Sequence, residues 1–415
     1  MKKFAAMLLA LLMVLSLAAC GSKEAETTTA APETTKAAET EAEKEETKAA
    51  ETEAATEAET EAETEAETEA EAASGDTKVA VFWYAFSDAY LSTVRTALDA
   101  ALDDAGIEYQ DFDGNNTQGT QLEQVQTAVT NGFNVLVVNL VTSGSADAAQ
   151  QIIDAANGLP VLFFNRAVEG DGEEGTVLGA NDNIAFVGTD APEAGHMQGK
   201  MIGEFLVDNY DDIDLNGDGE ISYAMFMGDA ANVEAIYRTQ YGVEDANKVL
   251  TEAGKPELVY FNASNSDKYQ LDPNGAWSTG AAFDFMSTNL AEYSEANNNM
   301  IELVIANNDG MALGAVSALQ NAGYNLGGDS TKIPVFGVDA TQDAQDAIAA
   351  DSMTGTVKQD AEGMANAIAG TVANIAGGDS IIDAAAKVAD SDDIYSLAEG
   401  FTNKVFVAYA PFTAE

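Results

Sequence analysis

Residues 214–222 read Asp214-Leu215-Asn216-Gly217-Asp218-Gly219-Glu220-Ile221-Ser222, with oxygen-bearing side chains at alternate positions. A hard cation such as Ca²⁺ takes about six to eight oxygens at roughly 2.3–2.6 Å, and alternate side chains plus one backbone carbonyl supply them. The run fits the first nine positions of an EF-hand loop. Gly219, at the sixth, permits the sharp turn, and Ile221, at the eighth, is apolar. The twelfth position should be a bidentate Glu but is Met225, so an isolated EF-hand is ruled out. A turn rich in Asp, Asn and Gly that binds nothing is the competing reading.

A second set of polar residues recurs where apolar runs end. Asp88 and Tyr90 follow the first run, Asn165 closes Val161–Phe164, Asn307, Asn308 and Asp309 close Glu302–Ala306, and Asp339 closes Pro334–Val338. Any one of these could simply cap a helix, because Asp and Asn are favoured there. Their repetition at strand end after strand end favours a site. Other chemistries are narrower. With one Cys and one His, a disulfide framework and Cys/His metal clusters are excluded. A Ser–His–Asp arrangement could use only His196, which reads better as a surface or structural residue.

The elements that must position these residues alternate. Apolar runs at Val79–Tyr84, Val135–Leu140, Val161–Phe164, Ala185–Gly188, Tyr223–Met227, Leu258–Phe261, Ile301–Ala306, Ile333–Val338 and Val405–Tyr409 predict strands. Helical stretches lie between them, among them Leu91–Ala105, Ala146–Asn157, Ala194–Asn209, Glu234–Ala253, Met311–Asn321 and Ala361–Ala376. Short, continuously apolar strands separated by helices predict parallel sheets covered on both faces, a doubly wound α/β architecture. Residues 77–415 exceed one comfortable core, so two lobes are expected. In such sheets ligands bind outside the carboxyl ends of the strands, where the polar residues sit.

Charge and the first 76 residues bound the rest. The chain holds 70 acidic and 18 basic residues, a net charge of −52. Nucleic acid is excluded as a partner, since its phosphates need Lys and Arg, and an anionic membrane surface is disfavoured for the same reason. Residues 1–19 have Lys2 and Lys3 ahead of an apolar run, Phe4–Leu17, too short for a span of about 20 residues. Leu17-Ala18-Ala19-Cys20-Gly21 looks like the lipobox of bacterial lipoproteins, which implies cleavage before Cys20 and a diacylglyceryl anchor on its thiol. Residues 21–76 contain 19 acids, 4 Lys and no Val, Ile, Leu or aromatic residue. They cannot bury enough apolar surface to order themselves, so residues 20–76 read as a lipid-anchored acidic tether with an r.m.s. span of about 40 Å as a flexible coil. The expected location is extracytoplasmic, attached to the membrane through Cys20 alone.

From Lys78 onward the chain resembles the periplasmic galactose/glucose-binding proteins, the sugar-capturing components of ABC importers. The resemblance rests, in order, on Phe163-Phe164-Asn165, Val187-Gly188-Thr189-Asp190, residues 214–219, Val304-Ile305-Ala306-Asn307-Asn308-Asp309 and Ile333–Asp339. It implies the type I periplasmic binding protein fold, two Rossmann-like lobes joined by three crossing segments. Lobe 1 would be about 77–189 with 359–406, and lobe 2 about 190–358 with 407–415. It further implies a structural Ca²⁺ held by Asp214, Asn216, Asp218, Glu220, Ser222 and, in place of the missing twelfth ligand, Glu302. In the sugar site Tyr90 and Trp277 would be aromatic plates for the C–H faces of a pyranose. Asp88, Asn165, Asn232, Glu234, Arg238, Asn308, Asp339 and Gln359 would meet its hydroxyl rim.

The chain departs from the family at several of these positions. It has Asn232 where the relatives carry His, Glu234 where they carry Asp, Tyr90 for Phe, Gln359 for Asn and Ser222 for a longer amide. Each keeps hydrogen-bonding capacity and changes reach, and sugar selectivity depends on such placement. The implied function is binding of D-galactose or D-glucose by a monomer that serves a permease and its ATPase. Alternatives are a pentose ligand, or service to a sensor kinase or chemoreceptor. A glycoside hydrolase using Asp88, Glu234 or Asp339 is not needed to explain the motifs.

Overall fold

The computed structural model describes residues 77–414, apart from Asp171 and Glu174. The signal segment, Cys20 and the acidic tether lie outside the described residues. The first lobe opens with β1 (Lys78–Trp83), α1 (Ala89–Asp104), β2 (Glu108–Asp113), α2 (Gln118–Thr130), β3 (Val135–Val138), α3 (Ala146–Ala156), β4 (Val161–Phe164) and β5 (Ile184–Gly188). The second contains α4 (Ala191–Ile213), β6 (Ser222–Met227), α5 (Val233–Glu252), β7 (Val259–Tyr260), β8 (Gln270–Leu271), α6 (Thr279–Glu292), β9 (Leu303–Ala306), α7 (Asp309–Asn321), β10 (Val335–Asp339), α8 (Gln342–Ala349) and β11 (Gly355–Gln359). The chain then returns through α9 (Ala361–Ala376), α10 (Ile381–Ala389), β12 (Tyr395–Leu397) and β13 (Lys404–Val407) to the first lobe. It ends in β14 (Tyr409–Thr413) on the second.

Two sheets result. One has the order β12-β13-β5-β4-β3-β1-β2, parallel except for β12; the other runs β14-β11-β10-β9-β6-β7, parallel except for β14, with β8 also on β6. The apolar strands are buried on both faces, and the alternation hidden in their sequences decides which core each residue enters. Val79, Val81 and Trp83 join a core under α1, α9 and α10, whereas Ala80 and Phe82 join one under α2 and α3. In the second sheet Ala224 and Phe226 face α6 and α7, while Tyr223 and Met225 face α4 and α5. This is the doubly wound α/β class read from the sequence.

The chain passes between the sheets at Thr189–Asp190, after Gln359 and at Ala408. The run Val405–Tyr409, expected as one strand, is two. It breaks at Ala408, whose N–H turns to the carbonyl of Ile394 (2.9 Å) as the backbone leaves the first sheet. Polar β2, an edge strand, was not among the expected strands. Packing of α4 on α5 is close: a Cβ at Gly199 would run into the carbonyl oxygen of Tyr241. That contact fixes α5, whose N-cap and first turns carry three of the expected site residues.

Candidate functional site

Ten side chains expected to bind sugar line a single cavity between the lobes. Asp88, Tyr90 and Asn165 come from the first lobe. Asn232, Glu234, Arg238, Trp277, Asn308, Asp339 and Gln359 come from the second, Gln359 being its last residue before a crossing. Tyr90 and Trp277 thus reach the cavity from opposite lobes, and both are buried.

Capping a helix and lining the cavity are compatible roles. Asp88 caps α1, its Oδ1 accepting from the Leu91 amide (2.8 Å), while Oδ2 accepts from the Tyr84 hydroxyl (2.7 Å). Asn232 caps α5 and Asn308 caps α7 through their Oδ1 atoms. Each helix therefore fixes a polar side chain at the cavity wall by the bond that satisfies its own first turn. Backbone strain is present here as well. Asn165 (φ 59°), Trp277 (φ 54°) and Asp339 (φ 122°) all lie at positive φ, which costs on the order of 1–3 kcal/mol each and persists where the surroundings impose it.

Arg238 organises the wall. Its Nη1 donates to the carbonyl of Asn307 (2.9 Å), and its Nη2 to Glu234 (3.2 Å), Gln359 Oε1 (3.0 Å) and the Tyr409 hydroxyl (3.0 Å). Glu234 also accepts from Thr189 (3.0 Å) and Tyr409 (3.1 Å). Glu234 and Arg238 are both buried and tied to the crossing segments, so they are not an exposed helix pair. Burial alone would depress the Arg238 pKa, but Tyr409, Glu234 and Asp339 hold it above its ordinary value, so the guanidinium stays charged. Asp339 is pushed well up by burial; Arg238, at 3.9 Å, opposes this only in part. Asp309 lies behind the wall, accepting from Thr341 and Thr356, and burial raises it to about 7.

Three buried donors of the lining have no partner among the described residues: Arg238 Nε, Trp277 Nε1 and Gln359 Nε2. An unpaired buried donor costs about 1–3 kcal/mol, so this wall is built to meet acceptors. Lining residues that the sequence reading did not single out are Tyr84, Leu91 and Arg166. Gly228 was missed too: a Cβ there would lie inside the indole of Trp277. Its signal was a glycine directly after an apolar strand, where a backbone approaches another group closely.

The loop after α4 has the expected local form. Asp214 accepts from the amides of Gly217 (2.8 Å), Asp218 (3.1 Å) and Gly219 (2.9 Å). Glu302 is fully buried and reaches the loop from the start of β9, accepting from the amides of Leu215 (2.8 Å), Asn216 (3.2 Å) and Ser222 (3.0 Å). Burial raises its pKa, those amides oppose the rise, and the charge of Asp214 adds to it. The Ser222 hydroxyl donates to the carbonyl of Met300. Among the described residues no three His, Cys, Asp or Glu side chains converge closely enough to hold a metal. The donors are all oxygen, the chemistry a hard cation takes, although as placed Asp214 and Glu302 accept from loop amides. His196 does not line the cavity; it stacks on Tyr241 and is hydrogen-bonded to Asp245 (2.6 Å).

Comparison with known proteins agrees with this architecture. Residues 79–380 match the periplasmic binding protein domain. The chain is 31% identical over 311 residues, 74% of its length and 84% of the relative's, to the D-galactose/methyl-galactoside binding periplasmic protein MglB of Haemophilus influenzae. It is 24% identical to the ribose import binding protein RbsB of the same organism, over 70% of this chain and 82% of that one. Among solved structures, an ABC transporter solute binding protein from Clostridium phytofermentans with bound β-D-glucose superposes with a TM-score of 0.59 at 19% identity, covering 81% of this chain and 94% of that one. One from Bacillus halodurans with bound myo-inositol gives 0.59 at 22%, covering 82% and 95%. Both show the fold shared across different ligands. The chain therefore belongs to the periplasmic binding proteins, the extracytoplasmic sugar-binding components of ABC transporters.

Proposed function

We propose that this protein captures a D-galactose- or D-glucose-type monosaccharide between its lobes and presents it, closed, to an ABC permease and its ATPase. The observation that carries this reading is the pairing of Tyr90 and Trp277, one from each lobe, across a wall of polar side chains with three unpaired donors. Aromatic plates suit the C–H faces of a pyranose, and directional groups suit its hydroxyls. The similarity to a galactoside-binding relative supports the hexose. Since the family is a transport component and not an enzyme family, no hydrolytic role is proposed for Asp88, Glu234 or Asp339. Lipid attachment at Cys20, and a monomer held near the membrane by the acidic tether, complete the proposal. Among the described residues no helix is long and apolar enough to cross a membrane.

Titration calorimetry with D-galactose, D-glucose, D-ribose and myo-inositol tests the ligand. A hexose should bind tightest and should reduce the radius of gyration in solution scattering, because a contact that bridges two lobes favours the closed state. Glu234→Ala and Gln359→Ala should reorder the sugars, since both set the Arg238 fork, whereas Asn165→Ala should weaken all of them. Tightest binding of ribose or inositol would move the assignment to that ligand; no change of shape on binding would remove the hinge.

We also propose that Ca²⁺ binds Asp214, Asn216, Asp218, the Glu220 carbonyl, Ser222 and Glu302, neutralising the buried Glu302 carboxylate. A ligand that binds only the native state stabilises it by about 2.7 kcal/mol at a hundredfold excess over Kd. Melting in Ca²⁺ should therefore exceed melting in EDTA, and Glu302→Gln should shrink the difference more than Ser222→Ala. Identical melts, with metal analysis confirming a metal-free EDTA sample, would remove the site.

A further inference from the structure

Away from the crossing segments, polar contacts join the lobes among the described residues. Asn116 Nδ2 donates to the carbonyl of Asn274 (3.1 Å), and Arg166 Nη2 pairs with Asp229 Oδ2 (3.2 Å). We propose that the Arg166–Asp229 pair is a latch that holds the lobes closed over the bound sugar and sets how long the sugar is retained. The proposal rests on the sugar-capture reading for the identity of the occupant.

The argument is one of preparation. Arg166 is held within its own lobe: Nε donates to the Leu140 carbonyl (2.8 Å), Nη2 to the Val141 carbonyl (3.1 Å), and the guanidinium stacks 4.2 Å from the Tyr84 ring. None of these contacts needs the second lobe. Asp229 is likewise set by its own loop, its Oδ1 accepting from the Ala231 amide (3.0 Å). Closure then adds one charge-assisted bond between two groups already in place, with little side-chain ordering left to offset it. A contact that exists only when closed shifts the equilibrium by its full worth. The pair is 4% and 22% exposed on its two sides, so salt screens it less than a surface pair. Since it forms only after the lobes meet, its loss should act on dissociation more than on encounter.

Asp229 does not line the sugar cavity, which makes it the residue to change. Stopped-flow fluorescence and calorimetry on the whole protein, with D-galactose and D-glucose as probes, compare the parent with Asp229→Asn and Asp229→Glu. Asp229→Asn should raise the dissociation rate about tenfold while the association rate stays within about twofold. Melting temperature and the ranking of the two sugars should not move, and Asp229→Glu, which keeps the charge, should restore much of the retention. An unchanged dissociation rate in Asp229→Asn overturns the latch, and so does a changed ranking, because the pair would then be shaping the sugar pocket. If neither sugar binds the parent, the proposed function fails and the latch is read without ligand. Asp229→Asn should then give a larger radius of gyration than the parent, and equal radii overturn it.

Discussion

Trp277→Ala is expected to weaken sugar binding by about 2 kcal/mol or more, roughly thirtyfold, when calorimetric titrations of variant and parent are compared. The indole is 8% exposed at positive φ, seated on Gly228 and facing the cavity. Removing it takes away the second lobe's plate and the unpaired Nε1 donor together. Trp277→Phe keeps a plate and should lose less. Gly228→Ala leaves the indole in the chain but pushes it off its seat, so its effect should approach that of Trp277→Ala. The remaining indole, Trp83, is buried and donates to Asp111 (2.6 Å), so Trp83→Phe isolates the emission of Trp277 for the same titration. Equal affinities of Trp277→Ala and the parent would end the stacking model.

Arg238→Met should cost about 3–5 kcal/mol of folding stability, because removing one partner of a buried ion pair strands the other. Glu234 would lose its guanidinium partner, and Asp339 the cation that lowers its pKa. The sign with pH follows. A carboxyl raised in the folded state binds its proton more tightly there, so stability falls as pH rises from the unfolded value toward the folded one. Without Arg238 the Asp339 pKa rises further, and the deficit relative to the parent should therefore be smaller near pH 5 than near pH 8 in denaturant titrations. Glu234→Gln combined with Arg238→Met should recover part of the loss. A single variant as stable as the parent at both pH values would show that the network is not the wall's support.

Much of this was legible in the sequence for a physical reason. Strands such as Lys78–Trp83 and Val161–Phe164 are buried on both faces, so their composition announces them. Asp88, Asn165, Asn308 and Asp339 stand at strand ends, where the doubly wound fold gathers its ligands. Glu108–Asp113 escaped because an edge strand need bury only part of one face, and its polar residues read as loop. Arg166 escaped for another reason. It follows Asn165 directly, but its partner Asp229 comes from the opposite lobe, and no local pattern links residues across a closing cleft. Glu234 and Arg238 stand four residues apart on one helix; their burial against Thr189 and Tyr409 was not legible, since those partners sit on two separate crossings.

The crossings also govern the order in which the molecule can be completed. Neither sheet is continuous in sequence. The first cannot place β13 beside β5 until residues past 400 exist, and the second receives β14 beside β11 from the last few residues of the chain. A chain interrupted after Gln359 would leave β5 and β11 with bare edges, and Tyr409 absent from the Arg238 network. Both halves therefore finish together, once residues 404–413 are in place, and the long-range pairing slows folding.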